Sequence, residues 1–163
     1  MGKMKAFFSR KIDQYRFLLK RYFHEIITSD KSDHMIALSY AIGTEIAILP
    51  TPGFSTAIGF GILAIFKSLN KFAVLLSMLV WNAITVLPVY WLSFQVGKQI
   101  EPLFPAFNSN YEWLNQAVLY MKQFGLGNLM VTFPISILSY FLVLTFLKFY
   151  RARKLQHNAH KLR

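Results

Sequence analysis

Glu45 is the residue of this sequence whose type and position are best suited to chemistry. Between positions 34 and 66 it is the sole Asp, Glu, Lys or Arg. An ionisable side chain inside an apolar segment is costly unless it faces a protein interior or a wet cavity. Such a carboxylate could take up and release a proton, or pair with a cation. The alternative is a carboxyl group that hydrogen-bonds loose backbone nearby or lies at a membrane interface.

A break in the backbone follows Glu45, because residues 50–53 read PTPG. Each proline removes an amide donor and restricts the residue before it, so a helix must stop there. A second helix starting near Ser55 and Thr56 would aim free amides and the positive end of its dipole at one point. Half-helices of this kind form anion sites in transporters. The alternative is a structural turn packed against a neighbouring helix.

Asn82 and Thr85 lie inside the next apolar segment and could line the same cavity as the break. The favoured interpretation is that they hydrogen-bond between helices, which is the ordinary role of neutral polar groups in a membrane. The predicted substrate-binding residues each offer a polar group or free backbone in this region: Glu45, Thr51, Gly53, Ser55, Thr56, Asn82 and Thr85.

Enzyme motifs are missing from the sequence. No glycine-rich phosphate loop follows a strand, and neither a nucleophile elbow nor a zinc-protease motif occurs. The four histidines lie near the chain ends, at positions 24, 34, 157 and 160. Cysteine is absent, so the chain has no disulfide framework and no cysteine-based metal site. We therefore expect a non-enzymatic protein with no catalytic residue, no metal and no cofactor.

The apolar residues that must position these groups occur in blocks. Of the 163 residues 55% are hydrophobic, and residues 72–97 and 123–147 contain no charge. Uncharged apolar runs of about 20 residues are typical of membrane-spanning helices. No linker or low-complexity stretch divides the chain. The composition predicts an all-α integral membrane protein with one compact membrane domain.

The charge is strongly basic, at +11, and it is concentrated at the ends. Eight of the eighteen Lys and Arg fall within residues 1–31 and six within residues 148–163. Basic clusters flanking apolar spans mark the cytoplasmic side and attract anionic head groups. We expect a bacterial inner-membrane protein with both termini in the cytoplasm. Its expected partners are membrane lipids with anionic head groups, and not nucleic acid.

The sequence predicts three regions. Residues 1–31 form a basic amphipathic helix at the membrane interface, or alternatively a helix packed on the rest of the protein. Residues 148–163 form a basic cytoplasmic tail. The membrane domain, residues 32–147, divides into a helical hairpin at 34–66 broken at 50–53, a spanning helix at 72–97, an external loop at 98–122 and a second spanning helix at 123–147.

The hairpin at 34–66 is expected to be re-entrant. Its arms would be about 24 Å and 20 Å long, short against a hydrocarbon core of about 30 Å. A hairpin that enters and returns places sixteen of the eighteen basic residues on one side, as the positive-inside rule favours. A pair of short, tilted spanning helices gives the same sidedness and is the alternative.

The segment from Ala37 to Gly97 resembles DUF2062, a family of bacterial membrane proteins of unknown function. The shared pattern is a P-x-P-G break, then L-N, W-x-N and T-x-x-P-x-Y. Two positions depart from it: Ala83 stands where the family usually has proline, and Glu45 stands where it is usually apolar or small. The motif residues are Pro50, Pro52, Gly53, Asn70, Trp81, Asn82, Thr85, Pro88 and Tyr90.

The resemblance implies a role in the cell envelope, because some family members are joined to glycosyltransferase domains. Glu45 followed by P-x-P-G is also similar to the re-entrant hairpin of DedA-type membrane proteins, a family associated with moving lipid carriers. We expect a small transporter-like protein that handles an anionic lipid or small anion, with proton coupling through Glu45. The alternative is a non-catalytic scaffold or accessory subunit for a cell-envelope, glycosyltransferase-type enzyme. With so few helices, a transporter would assemble as a homo-oligomer.

Overall fold

The computed structural model describes residues 2–51 and 54–161 and is helical throughout, with no strand in those two ranges. The all-α prediction is therefore confirmed. The helices are α1 Gly2–Ile27, α2 Asp33–Ile48, α3 Ser55–Ile65, α4 Lys71–Val80, α5 Ala83–Ile100, a short 3-10 turn Glu101–Leu103, and α6 Glu112–Lys161.

Helices α2 and α3 form the predicted hairpin arms. Ser32 caps α2, because its hydroxyl accepts the amide of Met35 at 3.2 Å. The helix ends at Ile48, two residues before Pro50, as expected from the lost amide donor. Helix α3 begins at Ser55 and ends at Ile65. The residues between Thr51 and Phe54, including Gly53, lie outside the described residues.

The prediction of one continuous helix at 72–97 is wrong. Helices α4 and α5 meet at a 75° bend. Asn82 is extended there, its side chain accepts the amides of Ile84 and Thr85, and the Thr85 hydroxyl accepts the amide of Asn82. This reciprocal capping box starts a new helix at Ala83. The bend therefore comes from side-chain capping, which a hydropathy profile does not detect.

The boundary drawn between an external loop at 98–122 and a spanning helix at 123–147 also differs from the structure. Helix α6 starts at Glu112 and continues through both segments. The first part of this helix therefore lies where an external loop was predicted. Gly125, Gly127 and Pro134 lie inside the helix.

Helices α5 and α6 pack backbone to backbone. A Cβ atom on Gly97 would overlap the carbonyl oxygen of Gln123, and one on Gly127 would overlap the carbonyl oxygen of Ser93. Small residues that let helix backbones approach closely are typical of helix pairs in membranes. Gly127 is therefore required by helix packing.

Helix α1 lies along α4. The rings of Tyr22 and Phe72 are 6.0 Å apart. The Tyr15 hydroxyl donates to the carbonyl of Leu79 and accepts from Asn82 Nδ2 at the α4–α5 bend. Helix α1 is therefore packed on the rest of the protein, which was the alternative that the sequence left open. The position of α1 at a membrane interface stays a prediction.

Ion pairs and capping contacts define two ends of the molecule. At one end the Lys31 ammonium donates to three carbonyls of the α3–α4 turn, and Arg151 pairs with Asp33 at 3.1 Å. At the other end Lys122 pairs with Glu101 at 3.0 Å. Residues 122 and 151 are about 43 Å apart along α6 at 1.5 Å per residue. The α1–α2 turn, the α3–α4 turn and the late part of α6 therefore share one end.

Large apolar side chains are exposed on the surface, and small polar ones are buried between the helices beside an apolar core. Phe60, Trp91 and Leu142 are among the exposed ones. Helix α6 contains an apolar stretch within residues 112–154 that is long enough to cross a membrane. Helices α4 and α5 would supply a second span if the bent pair counts as one. Small polar side chains are buried between the helices: Ser39, Thr44, Asn70, Ser77, Ser93, Asn128, Thr132, Ser136 and Ser139.

Candidate functional site

Four of the predicted site residues converge on one cavity of about 420 Å³, which we call the tip cavity. It lies between the end of the α2–α3 hairpin and the α4–α5 bend. The polar groups that line it are Thr51, Ser55, Thr56 and Asn82, and its other walls are Ala47, Met78, Trp81, Val86, Leu87 and Tyr90.

The hairpin end supplies hydroxyls and free backbone to this cavity. Thr51 Oγ1 and Ser55 Oγ lie 3.0 Å apart, and Ser55 also donates to the Thr51 carbonyl at 3.3 Å. No side chain in the described part of the chain caps the N-terminus of α3. The first amides of a helix carry partial positive charge and favour an anion. The exposed Thr56 hydroxyl adds a donor beside them.

Asn82 and Thr85 are occupied mainly by local bonds at the α4–α5 bend, and the bond from Asn82 to Tyr15 reaches a separate helix, as the favoured interpretation expects. Asn82 lines the tip cavity while its oxygen caps α5 and its amide nitrogen donates to Tyr15. Thr85 donates to the carbonyl of Val80 at 2.9 Å and does not line the cavity. Tyr90 Oη donates to the carbonyl of Leu49 at 3.3 Å, which ties α5 to the hairpin end.

Glu45 lies apart from the tip cavity, on the side of α2 that faces α6. Its Oε1 accepts from Thr132 Oγ1 at 2.7 Å and its Oε2 accepts from Ser136 Oγ at 2.6 Å. Each carboxylate oxygen thus has one hydroxyl donor, an arrangement that stabilises a negative charge. The carboxylate is bonded to a neighbouring helix instead of the loose backbone at the break.

A second cavity of about 420 Å³, the Glu45 groove, opens beside this carboxylate between α2 and α6. Its polar groups are Glu45, Ser136 and Tyr140, and the other walls are apolar. The remaining lining residues are Leu38, Ala41, Ile42, Phe133, Ile137 and Phe141. The structure therefore divides the predicted site in two, with hydroxyls at the tip cavity and the carboxylate at the groove.

The sequence interpretation missed the α6 partners of the hairpin. Asn128, Thr132 and Ser136 recur every four residues and so share one face of α6. Asn128 Nδ2 donates to the carbonyl of Ile48 at 3.4 Å, one turn beyond the Glu45 contacts. A four-residue repeat of polar side chains within an apolar helix was the signal that could have found them.

Metal ligation finds no support within residues 2–51 and 54–161. No three His, Asp or Glu side chains there come close enough together to hold a metal ion.

The sequence matches one family along most of its length. Residues 16–156 fit the family described as an uncharacterized protein conserved in bacteria, DUF2062. The chain belongs to this family. The match extends well beyond residues 37–97, which carry the motifs named above, and includes residues 16–27 of α1 and most of α6. No curated protein and no solved structure matches the chain. DUF2062 membership therefore comes without an assigned activity.

Proposed function

We propose that this DUF2062 member is a multi-pass protein of the bacterial inner membrane that handles an anionic lipid or a small anion as a small, non-enzymatic transporter. The observation that carries the proposal is the tip cavity. There three hydroxyl side chains and the uncapped N-terminus of α3 meet in one space. Each hydroxyl can donate a hydrogen bond as well as accept one, and the first amides of α3 are positively polarised, so this space can complement an anion.

The placement of polar and apolar side chains supports the membrane location. Small polar residues between helices and large apolar residues outside them fit lipid as the surrounding solvent. The shared end of the molecule also carries the basic residues: Lys31, Lys67, Lys71, Lys148 and Arg151. That bias supports a cytoplasmic position for this end and for the late part of α6, whereas the cytoplasmic position of the N-terminus stays a prediction. Several copies would assemble to complete a pathway.

Glu45 would serve this function as the proton-exchanging group. The ionised carboxylate holds two hydroxyls of α6, whereas a protonated carboxyl has one O–H to donate and fewer acceptor sites. Proton uptake would therefore loosen α2 from α6 one turn below the hairpin end. The tip cavity lies on that same hairpin, so its shape would respond to the proton.

Transport by purified protein in vesicles tests the proposal. Two probes cover the ligand classes: dithionite quenching of fluorescent phosphatidylglycerol, and uptake of labelled inorganic phosphate. We expect the wild type to accelerate one of them over protein-free vesicles. T56V removes an exposed hydroxyl of the tip cavity without changing side-chain shape, and should slow that activity about tenfold, the effect of one hydrogen bond to a charged ligand.

T145V is the matched control, since Thr145 is an exposed threonine on α6 away from the cavity. It should retain wild-type activity. Equal rates for T56V and T145V would show that the tip cavity is not the substrate site. A wild type that moves neither probe would contradict transport and favour the alternative of a scaffold or accessory subunit.

A further inference from the structure

A third cavity, which we call the basic groove, lies at the opposite end of α3 from the tip cavity. It has a volume of about 660 Å³ and runs between α3 and α4 at the end of the molecule where the basic residues cluster. Its mouth carries Lys31, Lys67 and Lys71. Its walls are apolar and include Phe60, Leu63 and Leu75.

Hydrogen bonds around the α3–α4 turn hold the groove open. The Lys31 ammonium donates to the carbonyls of three successive residues of the α3–α4 turn, at 3.2, 2.5 and 2.7 Å. Asn70 is buried beneath the turn, and its oxygen caps α4 while its Nδ2 donates to Ser29 at 3.0 Å. The backbone N–H of Asn70 donates to the Ser39 hydroxyl on α2 at 2.8 Å. These contacts fix both sides of the groove before any ligand arrives.

Two ammonium groups remain available at the mouth. Lys31 is engaged by the turn, whereas Lys67 and Lys71 are exposed. Lys71 Nζ lies 5.1 Å from the centre of the Phe72 ring, on the groove wall. No Asp or Glu is found among the described residues that line the groove. The mouth is therefore an uncompensated patch of positive charge above an apolar channel.

We propose that the basic groove binds one anionic phospholipid, with its phosphate at Lys67 and Lys71 and an acyl chain along Phe60 and Leu63. The positive charge selects an anionic head group, and each lysine near a membrane surface raises the affinity roughly fivefold. The apolar walls select a lipid over a free phosphate ion, which gains nothing from hydrocarbon contacts. The site stands independently of transport, because it shares no residue with the tip cavity.

Binding of long-chain lipid to the full chain in detergent, followed by native mass spectrometry, tests this site. We expect the wild type to retain phosphatidylglycerol over phosphatidylcholine. K67Q/K71Q should lower retention of phosphatidylglycerol about twenty-fivefold, a factor of about five for each lysine. The control K148Q/K154Q removes the same charge from exposed positions on α6 outside the groove and should change it less than about twofold. An equal loss in both variants would mean unspecific attraction and overturn the site.

A second pair of variants tests the acyl chain without altering charge. Ala64 is exposed and lines the groove, so A64W should fill it and abolish the preference for phosphatidylglycerol. Ala57 is exposed on the same helix outside the groove, so A57W should bind as the wild type does. Unchanged binding in A64W, or displacement of the lipid by millimolar inorganic phosphate, would contradict a lipid site.

Discussion

Helices α2 and α3 are the two arms of one hairpin, and they differ in what they touch. Helix α2 packs against α4 and α6, and it buries eight of its sixteen residues, among them Ser39 and Thr44. Helix α3 is more uniformly apolar yet buries only Gly59 among its described residues, while Phe60 is 57% and Ile65 74% exposed. Helix α2, the more polar arm, is thus the inner one, and helix α3, the more apolar arm, is the outer one.

This contrast shows which interactions hold the hairpin. Helix α2 is fixed by close backbone approach to α4 and by hydrogen bonds to α6. In lipid, burial of apolar surface gives no driving force for helix association. The helices must therefore be held together by the packing of small residues and by hydrogen bonds. Helix α3 makes fewer such contacts: Gly59 is its buried residue and packs against the Met78 side chain of α4. In our account lipid covers the rest of this helix. Its two ends carry the tip cavity and the basic groove, the two proposed ligand sites.

The largest expected effect comes from enlarging the glycine that α2 places against α4. A Cβ on Gly43 would overlap Ser77 Oγ and lie 2.8 Å from the carbonyl oxygen of Val74. G43L should lower the free energy of unfolding by about 3 kcal/mol, because overpacking forces the helices apart. Detergent-induced unfolding followed by tryptophan fluorescence measures it.

The matched substitution on the outer arm is G61L, since nothing lies within 4 Å of a Cβ on Gly61. It should leave stability unchanged or raise it by about 0.5 kcal/mol, because leucine is the better helix former. Equal destabilisation by G43L and G61L would show that both arms are packed alike and would remove the contrast.

A smaller effect is expected from the carboxylate of α2. E45A deprives Thr132 and Ser136 of their acceptor and should cost about 2 kcal/mol, the range of hydrogen bonds to a charged group. T132A/S136A should cost a similar amount, and the triple variant little more than either. The control E112A removes an exposed glutamate from the first turn of α6 and should cost below about 1 kcal/mol. Additive losses in this cycle would mean that the contacts contribute nothing jointly.

The sequence was informative where one residue type dictates the backbone. Pro50 located the C-terminal end of α2, and the apolar blocks indicated helices. The tip cavity could be predicted in part from the sequence, because Thr51, Ser55 and Thr56 surround one break in the chain. These are local effects that need no knowledge of which helices are neighbours.

The remaining features depended on contacts that a hydropathy pattern does not encode. The bend at Asn82 arises from a capping box inside an uncharged run, so the run looked like a single span. The polar and aromatic stretch before residue 123 looked like an external loop, although its part from Glu112 onward belongs to α6. Glu45 was found from its charge alone, but its partners on α6 required the α2–α6 pairing.

The central claim is that α2 and α3 form a hairpin whose two ends lie on the cytoplasmic side, with its tip inside the protein. Because the chain contains no cysteine, single cysteines at Thr51, Ser68 and Ser109 can be labelled in intact and opened cells with a membrane-impermeant maleimide. We predict that S68C reacts only from the cytoplasm, S109C only from outside, and T51C slowly until detergent is added. Reaction of S68C from outside would place both ends of the hairpin, which Lys31 joins, outside the cell and contradict the account.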